Sequence, residues 1–238
     1  MELKRQVWTK ADGEAFQSYL ESLSQPQKVD WARRIINTKM PLLAIKTPDI
    51  RKMVSAIAKG DLSGFLDLSL DRYYENLAIN GSLICKIRDF SELERRLTAY
   101  AAKIDNWAHC DLLSFDVNPS NAEDFWNLAK RYIADDLPFV RRVGIVIVFH
   151  FVKDEKYVDK IFEILNGFEN ETEYYVNMIC AWLLCECFIK HREKTLAFLK
   201  SQNTLNAFIV NKGVQKCRDS FRVSDEDKQL LLSFKIKG

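Results

Sequence analysis

The sequence predicts an all-α protein, arranged as an α-solenoid of stacked antiparallel helix pairs whose repeats are degenerate. Apolar residues recur at helical spacing almost from end to end of the 238 residues. Only 8 Gly and 5 Pro occur, too few for a turn-rich β fold, and the segments between helices are short and polar. A solenoid curves, so its concave face is the expected binding surface. The alternative is a two-lobed globular helical fold.

Capping residues and prolines mark the helices of the N-terminal half. Asp12 or Gly13 begins the first helix, and Pro26 fits the first turn of a second. Thr47 and Pro48 begin a third helix, and a short one follows residue 61. Periodicity predicts the remaining helices at residues 73–86, 91–104, 107–115, 121–133, 138–152, 155–165, 171–190, 193–200, 204–218 and 224–234. Residues 143–152 are rich in β-branched side chains, but no partner strand is predicted, which favours a buried helix.

Composition excludes several classes of protein. The chain is 47% hydrophobic and 29% charged, unlike disordered or collagen-like sequences. We predict one domain over residues 1–238, with frayed ends at 1–11 and 235–238. No apolar stretch approaches the ~20 residues of a membrane span, and the first residues lack the apolar core of a signal peptide. We therefore expect a cytoplasmic monomer without a membrane partner.

Charge is divided unevenly along the chain. Residues 1–60 carry a net charge of +5, residues 61–189 carry −9, and residues 190–222 carry +6. Basic segments on either side of an acidic one are compatible with binding a polyanion at both ends of a concave surface. The alternative is that these segments are ordinary solvated helices.

Cysteine and histidine spacing does not predict a metal site. No Cys-x-x-Cys pair occurs, and the three histidines are scattered. Most cysteines lie in apolar helical segments, where we expect reduced thiols that act as small hydrophobic residues. The six cysteines are Cys85, Cys110, Cys180, Cys185, Cys187 and Cys217.

Three motifs combine aromatic and charged residues. Trp107, Asp111 and Ser114 have the spacing of one helix face, where a carboxylate beside an indole suits a flat cation or caps a neighbouring helix. Arg141 and Arg142 precede an apolar segment. Arginines at a helix start oppose the macrodipole, so each requires a carboxylate or a phosphate partner. The third motif is the apolar segment at residues 174–186, in which Trp182, taken in isolation, fits a core position.

These motifs, together with the turn at residues 43–48, resemble the AlkD-like DNA alkylation-repair family of HEAT-repeat DNA glycosylases. The matching pieces are Leu43-Ala44-Ile45-Lys46-Thr47-Pro48, Trp107-x-x-x-Asp111, Arg141-Arg142-Val143 and Ala181-Trp182. They occur in the family's order and at similar separations, and the resemblance extends from about residue 16 to residue 234. It implies HEAT-like repeats with a concave DNA-binding face.

The resemblance also implies an activity. Enzymes of this kind excise cationic N-alkylpurines, such as 3-methyladenine and 7-methylguanine, from double-stranded DNA while leaving the base stacked. Asp111, Trp107 and Trp182 match the residues that surround the deoxyribose, and Arg142 matches a backbone contact, which we extend to Arg141. Asp111 would stabilise positive charge growing on the sugar, and the indoles would add cation–π stabilisation. No metal or organic cofactor is expected.

The match has departures. Lys46 stands where characterised members have an amide, and Cys185 replaces an arginine. Residues 26–38 fit the family's minor-groove helix, with Arg33 and Arg34 as its DNA-facing residues, and we also assign Lys46 to DNA binding. Two alternatives stay open, namely a non-catalytic paralogue that binds distorted or branched DNA and a protein-binding α-solenoid.

Overall fold

A computed structural model describes residues 1–201 and 203–236, and it confirms the predicted all-α class. Within these residues there is no strand. Two short 3₁₀ turns, Phe149–Phe151 and Glu155–Tyr157, interrupt the helices of the second half. The α-helices are α1 (Lys10–Ser22), α2 (Pro26–Ile36), α3 (Thr47–Ile57), α4 (Leu62–Asp67), α5 (Tyr74–Ile84), α6 (Phe90–Ala101), α7 (Trp107–Asp111), α8 (Ala122–Ile133), α9 (Pro138–Val148), α10 (Val158–Asn166), α11 (Tyr174–Lys190), α12 (Arg192–Lys200), α13 (Ala207–Asp219) and α14 (Asp225–Leu232).

The chain forms two compact units, residues 1–121 and residues 122–238. Helices α1–α7 belong to the first unit and α8–α14 to the second. The predicted single domain and its HEAT-like repeats stay predictions.

An aromatic cluster in the first unit attaches the segment before α1 to the core. Trp8 is 7% exposed, and its ring meets Phe65 edge-on at 4.9 Å. The carbonyl oxygen of Arg5 accepts a hydrogen bond from the Asp61 backbone N–H at 2.7 Å. We predicted fraying over residues 1–11, but these contacts attach Arg5 and Trp8 to the rest of the first unit. Thr9 caps α1.

The other predicted frayed end, residues 235–238, is described only as far as Ile236. The Ile236 backbone N–H donates to Asn211 Oδ1 at 2.9 Å, and Asn211 Nδ2 returns a hydrogen bond to the Ile236 carbonyl. Residues 237 and 238 lie outside the described residues.

Helix α7 is much shorter than the predicted segment 107–115. It ends at Asp111, and the chain after Leu112 alternates buried Leu113 and Phe115 with exposed Ser114. This alternation is typical of extended backbone, because successive side chains point to opposite sides. The prediction that Ser114 continues the helix face of Asp111 is therefore wrong.

The second unit is organised around three neighbouring helices, α9, α11 and α13. The apolar run at 143–152 is a buried helix followed by a 3₁₀ turn, as predicted, and not a strand. Helices α11 and α13 run parallel, since Tyr174 meets Phe208 and Trp182 meets Lys216 in the same chain order. Gly213 permits this close approach, because a Cβ there would lie 2.9 Å from Leu184.

Candidate nucleic-acid interface

The start of α7 is fixed by a side-chain cap. Asn106 is fully buried and precedes Trp107. Its Oδ1 accepts a hydrogen bond from the His109 backbone N–H at 3.0 Å, and its Nδ2 contacts His109 Nδ1 at 2.9 Å. Asn is a preferred N-cap residue, so the sequence carried a signal for this helix start that our prediction did not use.

His109, within α7, is a second buried polar residue that fixes this helix. Its Nε2 lies 2.9 Å from the carbonyl oxygen of Tyr74, which can only accept, so Nε2 carries the hydrogen and Nδ1 accepts from Asn106. Burial lowers the pKa of His109 to about 4, although the hydrogen bond to Tyr74 opposes this shift. The imidazole is therefore neutral at pH 7 and positions α7.

Two further contacts join α7 to the end of α2. The indole Nε1 of Trp107 donates to the carbonyl oxygen of Ile35 at 3.2 Å. Asp105, just before α7, accepts from Thr38 Oγ1 at 2.7 Å and from the Lys39 backbone N–H at 2.8 Å. Burial alone would raise the pKa of Asp105, but these hydrogen bonds and one from Asn106 hold it below its usual value.

The surface next to α7 presents a carboxylate and aromatic residues together. Trp107 and Asp111 lie at opposite ends of α7, at the i, i+4 spacing predicted, and both are half-exposed. Helix α2 has no buried residue, and its Trp31 and Ile35 are 61% and 48% exposed. Because Trp107 bonds to Ile35, the apolar side of α2 lies beside the predicted catalytic helix.

The basic residues assigned to this unit differ in their accessibility. Arg33 Nη1 donates to the carbonyl oxygens of Thr38 and Met40, at 3.2 and 3.0 Å, and so holds the turn after α2. Arg34 is exposed, and its Nε donates to the carbonyl oxygen of Asp30 in α2. Lys46 is exposed at the N-cap of α3.

The turn before Lys46 depends on a residue that the sequence analysis missed. Ala44 has a positive φ of 57°, a conformation that non-glycine residues rarely adopt. Buried Glu75 accepts hydrogen bonds from the backbone N–H groups of Leu43 and Ile45. These bonds fix the residues on both sides of Ala44 and so hold its unusual backbone conformation. Burial raises the pKa of Glu75, while the backbone N–H groups act in the opposite direction.

In the second unit, both predicted arginines are directed towards the protein. Arg141 forms an ion pair with Glu171 at 2.9 Å and also donates to the carbonyl oxygens of Asp135 and Asp136. Arg142 is 5% exposed and donates to the carbonyl oxygen of Tyr175. A carboxylate partner was one of the two possibilities for these arginines, and the structure provides it for Arg141.

Trp182 is a surface residue, which favours the predicted functional role over the core position that its sequence suggested in isolation. It is 39% exposed, and its ring packs on Phe149 at 4.9 Å. Its Nε1 lies 3.4 Å from Glu186 Oε1, and the Lys216 ammonium lies 5.8 Å from its ring centre. Cys185, three residues further along α11, is buried in a core cluster with Val214 and Cys217.

A family model described as DNA alkylation repair enzyme matches residues 16–216. The chain belongs to the DNA alkylation repair enzyme family. This finding confirms the resemblance and supports a role in DNA repair. All predicted site residues fall within the matched range. No curated protein matched the chain.

Along residues 1–201 and 203–236, no helix is both long and apolar enough to cross a bilayer.

Proposed function

We propose that the protein is a DNA glycosylase that hydrolyses the N-glycosidic bond of cationic N-alkylpurines, such as 3-methyladenine and 7-methylguanine, in duplex DNA. The observation that carries the proposal is the pairing of Asp111 with Trp107 on α7, within a chain of the DNA alkylation repair enzyme family. We also propose that it acts as a cytoplasmic monomer and without a metal or organic cofactor.

The chemistry needs little from the protein. An alkyl group on N3 or N7 gives the purine a positive charge, so the electron pair of the C1′–N bond leaves with the base, which departs neutral. Positive charge then accumulates on the sugar, where the Asp111 carboxylate stabilises it. A water molecule bonds to C1′ and releases a proton, for which Asp111 is the nearest proposed acceptor.

The contacts around α7 support a fixed geometry for this step. Trp107 is oriented by its hydrogen bond to Ile35, and the helix start is capped by Asn106. A carboxylate that does not reorganise during the reaction stabilises charge more effectively than a mobile one. The indole face of Trp107 adds a cation–π contribution of about 0.5–2 kcal/mol.

DNA binding is assigned unequally to the predicted basic residues. Arg34 and Lys46 are exposed and suit direct phosphate contacts. Arg33, Arg141 and Arg142 donate to protein groups, so we propose that they mainly hold the segments that face DNA. That Trp107, Asp111, Arg142 and Trp182 line one face stays a prediction.

A non-catalytic DNA-binding protein is the second candidate function. The two departures from the family's pattern favour it, since Cys185, in place of an arginine, is buried, whereas Lys46, in place of an amide, is exposed and suits phosphate binding. In that case Asp111 and Trp107 would contact distorted DNA without promoting hydrolysis.

Release of methylated bases from alkylated duplex DNA separates the two candidates. Asp111→Asn preserves shape and removes the negative charge, so we expect excision to fall about 10²–10³-fold with duplex affinity near that of the wild type. Asp116→Asn, at an exposed position five residues along, is the matched control and should excise normally. Equal excision by wild type and Asp111→Asn would reject the mechanism, and no release by wild type would favour the non-catalytic function.

A further inference from the structure

Two cysteines of the second unit lie on neighbouring helices, near the C-terminal end of each. Cys185 belongs to α11 and Cys217 to the last turn of α13, and they are 3% and 2% exposed. Both are part of one apolar cluster, which also contains Val214, Val223 and Leu231. Because Cys185 stands where the family has an arginine, the pair is a property of this chain and not of the family pattern.

Contacts elsewhere along α11 and α13 fix the register of the two helices. A Cβ on Gly213 would lie 3.3 Å from the carbonyl oxygen of Ala181, so the two backbones approach closely there. Cys185 follows Ala181 by one helical turn, and Cys217 follows Gly213 by the same distance. Since the helices run parallel, the two cysteines are the next pair along the same contact.

The two thiols are hydrogen-bonded to each other. Cys217 donates to Cys185, and this bond lowers the pKa of Cys185, although burial and the Glu186 carboxylate act in the opposite direction. The cations of Arg222 and Lys216 lower it further. The same bond raises the pKa of Cys217, with burial acting in the same direction. Cys185 is therefore the sulfur that loses its proton more easily.

Other cysteines show what burial alone does to a thiol. Burial raises the pKa of Cys85 and of Cys187 to about 12, so both stay protonated at pH 7. Cys187 lies on the same helix as Cys185, two residues further along, and is fully buried. The lowered pKa of Cys185 thus comes from its contact with Cys217 and not from its place in α11.

We propose that Cys185 and Cys217 form a reversible disulfide, which a hydroperoxide generates and a dithiol reductant removes. The structure shows both thiols in the reduced form. A disulfide requires Cα atoms about 4.4–6.8 Å apart, and the close approach of α11 and α13 at Gly213 favours such a separation. The oxidant must be small, because both sulfurs are buried. In reducing compartments such bonds are chiefly transient and redox-sensing, in line with a reversible pair.

Oxidation by hydrogen peroxide balances in two steps. The Cys185 thiolate bonds to one peroxide oxygen, the O–O bond breaks, and the hydroxide that leaves takes the Cys217 proton. Cys185 is then a sulfenic acid. The Cys217 thiolate bonds to the Cys185 sulfur, the S–O bond breaks, and the second hydroxide takes up the proton that Cys185 lost at the start. The two thiols have then given two electrons to the peroxide, which becomes two water molecules.

The disulfide would close residues 185–217 into a covalent loop that contains α12 and most of α13. Closing a loop restricts the unfolded chain and so stabilises the folded one. Trp182 and Lys216 lie within three residues of the two sulfurs, so oxidation would also fix their relative positions. None of these steps requires DNA, and the disulfide is therefore independent of the proposed glycosylase activity.

Disulfide mapping of the folded, full-length chain tests the pair. Reduced protein is treated with a few equivalents of hydrogen peroxide, the remaining thiols are blocked with N-ethylmaleimide, and the peptides are identified by mass spectrometry. We expect one disulfide, between Cys185 and Cys217, which dithiothreitol removes. The oxidised protein should melt about 5–10 °C above the reduced protein.

Three variants and a denatured sample serve as controls. Cys187→Ala, on the same helix, is the matched control and should form the same disulfide. Cys185→Ala and Cys217→Ala should form none and show no rise in melting temperature with peroxide. Wild type treated in urea should give mixed pairs, because only the fold selects the partner of Cys185.

The wild-type map decides the matter even if a variant does not fold. Cys185 that stays a thiol, or that proceeds to a sulfinic acid with Cys217 still reduced, would overturn the proposal. So would a disulfide between any other two cysteines of the folded chain. A disulfide between Cys185 and Cys217 that leaves the melting temperature unchanged would reject the stabilising effect of the closed loop.

Discussion

His109 and Tyr74 are joined twice, through a hydrogen bond and through their rings. His109 Nε2 donates to the Tyr74 carbonyl oxygen at 2.9 Å, and the rings stack with centres 4.2 Å apart. Because His109 is the third residue of α7, this contact ties the helix that carries Trp107 and Asp111 to the start of α5. A buried neutral imidazole thus helps to hold in place the helix that carries the candidate catalytic residues.

The pKa of His109 predicts a loss of stability in mild acid. Its value in the folded protein is about 4, below the ordinary value of 6.5. Its contribution is therefore complete above pH 6.5 and declines as the pH falls towards 4. At pH 5 the free energy of unfolding should be about 2 kcal/mol lower than at pH 7.5 through this residue. Urea unfolding of wild type and His109→Gln at both pH values isolates the effect, and parallel curves would contradict it.

Trp107 offers a graded test of the indole. Trp107→Phe keeps an aromatic face and removes the hydrogen bond to Ile35, so single-turnover excision should fall only a few-fold. Trp107→Ala removes both and should fall by up to about 30-fold, the equivalent of a cation–π term of ~2 kcal/mol. Single-turnover rates with saturating enzyme report the chemical step. Identical rates for the two variants would show that the ring itself is not used.

Two glycines of the first unit should respond oppositely to alanine. A Cβ on Gly60 would lie 2.1 Å from the backbone oxygen of Arg5, so Gly60→Ala must displace the N-terminal segment and should destabilise by more than ~2 kcal/mol. A Cβ on Gly13, inside α1, meets the side chains of Leu68 and Leu70 at ordinary distances of 3.4 and 3.6 Å. Gly13→Ala should be neutral or stabilising by about 0.5–1 kcal/mol. Thermal unfolding of both variants measures the difference, and a tolerated Gly60→Ala would contradict the packing described.

Substitutions at Arg142 and Lys46 should affect different properties. The Arg142 variant should lower stability, whereas the Lys46 variant should weaken DNA binding. Arg142→Met leaves the Tyr175 carbonyl without its charged donor and should lower the free energy of unfolding by about 1–3 kcal/mol. Lys46→Gln should leave unfolding unchanged and reduce the salt slope of duplex binding by about 1. Duplex affinity by fluorescence anisotropy and melting temperature are measured together. A stable Arg142→Met protein with greatly weakened binding would return Arg142 to the role of a direct phosphate contact.

Sequence patterns were enough to predict the helical class, most helix positions, and the pairing of Trp107 with Asp111. These follow from local rules, since apolar spacing and capping residues act over a few neighbouring positions. The overestimated length of α7 shows that such rules do not predict where a helix ends when tertiary packing determines its last residue. Helix continuation at Ser114 was locally acceptable, but burial of Leu113 and Phe115 in the first unit draws the chain into an extended conformation.

The contacts of the polar side chains, by contrast, could be known only from the fold. Arg33 and Arg142 are as basic in sequence as Arg34, yet only the fold directs the first two to backbone carbonyls and leaves the third exposed. The roles of His109 and Glu75 were likewise hidden, because their partners lie 35 and 32 residues away. Hydrogen bonds over such separations depend on which helices pack together, and sequence spacing carries no information about that.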